Sequence, residues 1–117
     1  MPENLEIIGA NSFIFTAIRE ITIPKSVKSI GNYAFSGYRK DGNTNYLLEK
    51  VVLQEGLESI ENAAFSDLPI KELVIPRSVK SIGDLAFSDC KNLSSVTFQQ
   101  GQLNNIGSKC FDGTNLK

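Results

Sequence analysis

The stretch "IPKSVKSIGNYAFS", residues 23–36, returns as "IPRSVKSIGDLAFS" at residues 75–88 with three substitutions. The two copies begin 52 residues apart. A local pattern that recurs in register is typical of a structural unit that stacks on copies of itself, because one such unit is too small to bury its own apolar side chains. The sequence therefore predicts a repeat protein.

The offsets between Ile30, Gly31 and Phe35 locate five copies of one phrase, which we call the glycine phrase. The copies are "LEIIGANSF" (5–13), "VKSIGNYAF" (27–35), "LESIENAAF" (57–65), "VKSIGDLAF" (79–87) and "LNNIGSKCF" (103–111). A second phrase, the strand phrase, lies between them as "IREITI" (18–23), "LEKVVL" (48–53), "IKELVI" (70–75) and "LSSVTF" (93–98). The phenylalanines of the glycine phrase are 22, 30, 22 and 24 residues apart, so the second interval carries an eight-residue insertion.

Each phrase predicts a local structure. Apolar residues at the fourth and sixth positions of the strand phrase predict a short parallel strand with those side chains inside. The residue after the glycine position is Asn32, Asn62, Asp84 or Ser108. Such side chains accept hydrogen bonds from the free amides of a helix start, so we expect one helical turn there. The glycine itself indicates either a positive φ or a close backbone approach, and Glu61 in the third copy argues against a positive φ.

Stacking places equivalent side chains in columns, and five of the seven phenylalanines fall in one column. We interpret this column as core rather than as a ligand site. Cys90 takes the position of Leu68, and Cys110 takes that of Ala34 and Ala86. Both cysteines are therefore expected to pack as small apolar side chains, without a disulfide between them.

The pattern I-P-x-S-V-x-S-I-G-x-x-A-F, alternating with L-x-x-V-x-I, resembles the BspA-like, or Treponema pallidum type, leucine-rich repeats. The resemblance covers nearly the whole chain, although Gln54 and Gln99 replace the proline of other copies. It implies a curved right-handed solenoid of about four to five repeats, with short parallel strands on one face and short helical turns and loops elsewhere. It also implies a surface-exposed or secreted parent protein that serves as an adhesin or an interaction scaffold.

Catalytic and metal sites are not indicated by the sequence. The chain has no histidine, which removes the commonest general base and metal ligand, and two cysteines cannot close a zinc site alone. The string "DGNTN" (41–45) begins like a calcium loop, but Tyr46 and Val52 stand where that loop needs Gly and Glu. We therefore expect no enzyme activity, no metal and no cofactor.

Charge and hydropathy argue against two classes of partner. The formal net charge is −1, with 12 basic and 13 acidic residues dispersed along the chain, so no basic stripe for nucleic acid is apparent. No run of eighteen apolar residues is present. We expect neither nucleic-acid binding nor membrane insertion.

Charged residues alternate in sign from repeat to repeat in the strand phrase. Its second position reads Arg19, Glu49, Lys71 and Ser94, and its third reads Glu20, Lys50, Glu72 and Ser95. Adjacent parallel strands lie about 4.8 Å apart, so opposite charges would be neighbours. One interpretation is a self-neutralised ladder that fixes the stacking register, and the other is a recognition surface for a polar protein. The first is favoured, because paired charges attract a partner poorly.

The insertion, Arg39 to Tyr46, reads "RKDGNTNY" and is expected to form a surface loop or a short hairpin. Arg39 and Tyr46 are its candidate binding residues, since Arg and Tyr are enriched at binding hot spots. An idle loop is the favoured alternative.

We expect residues 1–117 to form a single leucine-rich-repeat domain that is part of a longer array, because no polar cap is visible at either end. Open ends also predict self-association. A non-enzymatic protein-interaction module of a cell-surface or secreted protein is the function that the sequence favours. A passive spacer is the alternative, and an enzyme accessory domain is a poorer one.

Overall fold

Nine short β-strands form the regular structure in a computed structural model that describes residues 4–10, 19–36, 48–99 and 103–116. They are β1 (Ile7–Ile8), β2 (Glu20–Thr22), β3 (Ser29–Ile30), β4 (Lys50–Val52), β5 (Ser59–Ile60), β6 (Glu72–Ile75), β7 (Ser81–Ile82), β8 (Ser95–Phe98) and β9 (Asn105–Ile106). Strands from the two phrases alternate along the chain. The repeats therefore stack as a solenoid.

The glycine phrase forms a parallel five-stranded sheet in the order β1-β3-β5-β7-β9. Equivalent residues are paired in register, as in Ser29 with Ser59 and Ser59 with Ser81. Parallel strands thus lie on two faces of the solenoid, whereas the sequence predicted them on one face. The prediction missed this sheet because each of its strands is only two residues long, too short for an alternating pattern.

The strand phrase forms two parallel two-stranded sheets, β2-β4 and β6-β8, in place of one continuous sheet. Glu20 pairs with Lys50 in the first, and Glu72 pairs with Ser95 in the second. The fourth and sixth positions point inward as predicted, since Val51, Leu73 and Ile75 are buried. No ladder joins β4 to β6, although these strands belong to successive repeats.

The expected helical turn after the glycine is wrong, because the described residues contain no helix. The segment is a series of hydrogen-bonded turns in which amides alternate between two kinds of acceptor. Ala64 N–H donates to Glu61 O within its own turn, at 3.3 Å, while the amides of Ala63 and Phe65 donate to the next repeat. A helix would direct every amide within its own turn and leave the repeats unlinked.

The polar residue after the glycine links successive repeats instead of capping a helix. Asn32 Oδ1 accepts from the Asn62 amide at 3.0 Å, Asn62 Oδ1 from the Asp84 amide at 2.8 Å, and Asp84 Oδ1 from the Ser108 amide at 2.8 Å. We call this series the Asn/Asp ladder. The sequence predicted that this side chain accepts a hydrogen bond from the start of a helix in its own repeat. In the structure the donating amide belongs to the next repeat.

The core consists of columns of equivalent apolar side chains, as predicted. Rings of Phe35, Phe65, Phe87 and Phe111 stack at centroid distances of 5.2, 5.4 and 5.5 Å, with interplanar angles of 1° to 6°. Burying each ring contributes roughly 1.5–3 kcal/mol. A neighbouring column, the isoleucine column, holds Ile8, Ile30, Ile60 and Ile82, all buried.

Cys90 and Cys110 are buried free thiols within this core. Cys90 Sγ donates to Phe65 O at 3.1 Å, which bridges two repeats. Burial raises the pKa of the Cys90 thiol to about 12 and that of the Cys110 thiol to about 11. Both thiols therefore stay protonated at neutral pH, and neither is poised as a nucleophile.

Candidate interaction surface

The solvent side of the strand phrase is the surface that the sequence singled out, and we call it the charged strand face. Residues alternate inward and outward along each strand, so the third and fifth positions of every phrase face solvent beside the second. The face consists of Arg19, Glu20, Thr22, Glu49, Lys50, Val52, Lys71, Glu72, Val74, Ser94, Ser95 and Thr97, all exposed.

Ion pairing on the charged strand face is incomplete. Arg19 Nη1 lies 3.8 Å from Glu49 Oε1, and both side chains are more than half exposed. Among the described residues, Lys50, Lys71 and Glu72 form no ion pair, so the self-neutralised ladder predicted from the alternating signs is wrong for this part of the face. An exposed pair such as Arg19–Glu49 stabilises the fold by about 0.2–1 kcal/mol.

A cleft of about 490 Å³ lies where β4 and β6 fail to pair. One wall carries Glu49, Lys50 and Val52, and the other carries Lys71, Glu72 and Val74. Ser95 and Thr97 of β8 line its margin. The cleft therefore brings together six residues from two repeats, four of which the charge pattern had nominated as binding candidates.

Charges of the same two repeats do pair at the corner that follows the strand phrase. Arg77 Nε lies 3.6 Å from Glu55 Oε1, and Lys80 Nζ lies 3.3 Å from Glu58 Oε1. Neither pair was predicted from the sequence, although Lys28, Glu58 and Lys80 alternate in sign from repeat to repeat, as do Lys25, Glu55 and Arg77. The corner is therefore electrostatically satisfied, whereas the cleft is not.

The insertion residues Arg39 and Tyr46, and the calcium-like string at 41–45, lie outside the described residues. Within the described ranges, no group of three or more His, Cys, Asp or Glu side chains is arranged to hold a metal ion. In the same ranges, no helix has the length and apolar character needed to cross a bilayer.

Apolar core columns become exposed at the end of the stack that carries β8 and β9. Phe98 is 43 % exposed, while Ile23, Leu53 and Ile75 in the same column are buried. Ile106 is 53 % exposed at the end of the isoleucine column. Phe98 retains one edge-on aromatic contact, with Phe111 at a centroid distance of 6.2 Å.

Repeats of 22 to 24 residues, parallel strands and in-register apolar columns define a leucine-rich-repeat solenoid with a charged, cleft-bearing strand face. Residues 6–117 match the BspA type leucine rich repeat region in six copies, and the chain belongs to this family. The family match thus confirms the resemblance drawn from the sequence, with one copy more than the five glycine phrases.

Solved structures agree with this assignment. The leucine-rich repeat protein of T. pallidum is 29 % identical, with a TM-score of 0.79 over 96 % of this chain and 50 % of that one. A leucine rich cell surface protein from Faecalibacterium prausnitzii A2-165 is 32 % identical, with a TM-score of 0.60 over 69 % of this chain and 20 % of that one. The pneumococcal vaccine antigen PcpA, 22 % identical, shares the fold, with a TM-score of 0.74 over 97 % of this chain and 35 % of that one.

The chain therefore spans between a fifth and a half of the lengths of these three proteins. No curated protein sequence matches it significantly.

Proposed function

We propose that the chain is a non-catalytic protein-binding module of a cell-surface or secreted protein, and that its charged strand face contacts the partner. The observation that carries the proposal is the cleft between β4 and β6, where the exposed Lys50, Lys71 and Glu72 have no ion-pair partner among the described residues. Unpaired rim charges steer a partner and set its orientation. An adhesin role in the parent protein is the finer form of the proposal.

The surface location draws support from one relative. The F. prausnitzii protein, which is described as a cell surface protein, is 32 % identical over an alignment that covers 69 % of the present chain. Leucine-rich repeats in such a position display an extended array of side chains that suits a protein partner.

A passive spacer is the competing function, and the charge pairs at the corner favour it. Glu55–Arg77 and Glu58–Lys80 link successive repeats without presenting free charge to a partner. A spacer needs a rigid stack and no recognition surface. The two functions therefore differ in whether the charged strand face has any ligand.

Surface plasmon resonance of the immobilised domain against a panel of purified extracellular-matrix proteins tests the proposal. One variant removes cleft charges (Lys50→Ala, Lys71→Ala, Glu72→Ala). A matched control removes two cations and one anion at the corner (Arg77→Ala, Lys80→Ala, Glu58→Ala). We expect at least one matrix protein to bind, with affinity lost in the first variant and kept in the second. Uniform absence of binding would favour the spacer.

A further inference from the structure

The opening between β4 and β6 is confined to one face of the solenoid. In the same two repeats, β5 and β7 remain paired, with Ser59 opposite Ser81 and Ile60 opposite Ile82. Leu53 and Leu73 close the bottom of the cleft as buried core residues. The cleft is therefore a shallow site with a rigid base, and the repeats on either side of it stay stacked.

Opposite charges face the cleft from equivalent positions of β4 and β6. Lys50 and Glu72 are 22 residues apart, the same separation as the paired Glu58 and Lys80. Lys50 and Glu72 nevertheless form no ion pair among the described residues, and no ladder joins the strands that carry them. A ligand that lies between them meets a cation on one side and an anion on the other.

Two exposed valines follow these charges on the same side of each strand. Val52 is 38 % exposed and Val74 is 46 % exposed, and both line the cleft. Side chains two residues apart on a strand are separated by roughly 6.6 Å. The cleft thus offers the charges of Lys50 and Glu72 and, two residues further along each strand, the apolar side chains of Val52 and Val74.

An extended peptide has the same spacing, and its successive side chains point to opposite sides. One acidic side chain meets Lys50 while its neighbour, a basic side chain, meets Glu72. The next two side chains then reach Val52 and Val74. From this match we propose that the cleft binds an extended peptide segment in which an adjacent acid and base are followed by two apolar residues. The inference rests on the proposed protein-binding function and specifies its ligand class.

The experiment is selection from a display library of random linear octapeptides, with the purified domain as bait. We expect enrichment of neighbouring acidic and basic residues followed by two aliphatic residues. Lys50→Ala should weaken binding of a selected peptide roughly tenfold, because the variant loses the charge contact with the acidic side chain of the peptide. The double variant Val52→Thr with Val74→Thr should abolish the preference for aliphatic residues. Threonine already occupies the equivalent position of the other strand phrases, at Thr22 and Thr97.

A charge swap provides the decisive comparison. The double variant Lys50→Glu with Glu72→Lys keeps the net charge and should select peptides in which the order of acid and base is reversed. The corner swap Glu58→Lys with Lys80→Glu should leave the order unchanged. Absence of enrichment, or an order that ignores the cleft swap, would overturn the inference. If a matrix protein still binds the variant with both valine substitutions, the proposed protein-binding function is supported and the peptide site in the cleft is not.

Discussion

At the residue scale, the glycine phrase shows which feature of glycine the stack requires. A Cβ on Gly83 would lie 2.6 Å from the Asn62 amide nitrogen, and one on Gly31 would lie 2.6 Å from the Ala10 amide nitrogen. Neither glycine has a positive φ. The stack therefore requires glycine at these positions because the backbones of two repeats approach closely. A Cβ on Gly83 would also lie 2.5 Å from Asn62 Oδ1, the atom that accepts the hydrogen bond from the Asp84 amide.

Gly83→Ala is therefore predicted to destabilise the fold by about 1–3 kcal/mol, the usual cost of forcing an extra carbon into a packed site. Urea denaturation measures the change in the free energy of unfolding. Glu61→Ala is the matched control, because the third copy already carries a Cβ in this column and Glu61 is exposed. Equal free-energy changes in the two variants would show that the Asn/Asp ladder does not depend on glycine.

At the element scale, repetition explains which features were predictable. Positions that are apolar in every copy must lie inside a stack, so the phenylalanine column, the inward strand positions and the two cysteines followed from the sequence alone. The turns did not, because Asn and Asp accept amide hydrogen bonds in a helix cap and in a ladder between repeats equally well.

No feature of the sequence indicated the backbone conformation of those turns. Tyr33, Ala63, Leu85 and Lys109 have φ angles between 55° and 61°, although such residue types seldom adopt the left-handed region. Three of these residues donate their amide to the next repeat, to Asn62 O, Asp84 O and Ser108 O respectively. Those bonds exist only in the stack, so no single copy could reveal them.

The cleft on the charged strand face was equally hidden. Alternating charges indicated which side chains would be neighbours, but they did not indicate that β4 and β6 would lack a hydrogen-bond ladder. A binary pattern records the side of a strand on which a residue lies and contains no distance between strands. The candidate residues were therefore foreseeable, whereas their lack of ion pairing was not.

The insertion is an element whose effect is visible in the strands beside it. β2 pairs with β4 and β3 pairs with β5 at a residue offset of 30, against 22 for β5 and β7. Both ladders keep equivalent residues opposite each other across the insertion. The eight extra residues thus fall between Ser36 and Leu48 and leave the register unchanged.

Deletion of Arg39 to Tyr46, which joins Tyr38 to Leu47, is predicted to leave the melting temperature unchanged or to raise it. Shortening a loop lowers its closure entropy cost, at about 0.6 kcal/mol per halving of length. Thermal unfolding followed by circular dichroism provides the measurement. A deletion of residues 35–42 is the control and should unfold the chain, because it removes the buried Phe35. Unfolding of both variants would mean that the insertion itself packs as core.

At the scale of the whole molecule, burial and charge change together along the stack. The strand phrases at 18–23, 48–53 and 70–75 each carry charges, whereas Leu93 to Gln99 carries none. The same segment holds the exposed Phe98, and Ile106 of β9 is exposed at the same end of the stack. A repeat buries its apolar face only against a neighbouring repeat, and this end has apolar side chains and strand edges ready for one.

We predict that this end of the stack self-associates with a second copy of the chain. Among the strand phrases only the last carries no charge, so two copies of this strand face meet there without like-charge repulsion. Sedimentation velocity should therefore show an apparent mass that rises with concentration. Phe98→Lys with Ile106→Lys should give a monomer, because four cations would face each other in the dimer. Val52→Lys, at an exposed valine of β4, which does not pair with β8, should associate like the original chain. A clean monomer at high concentration, with no loss of stability on dilution, would contradict the prediction, since the exposed columns would then be stable in water without a partner.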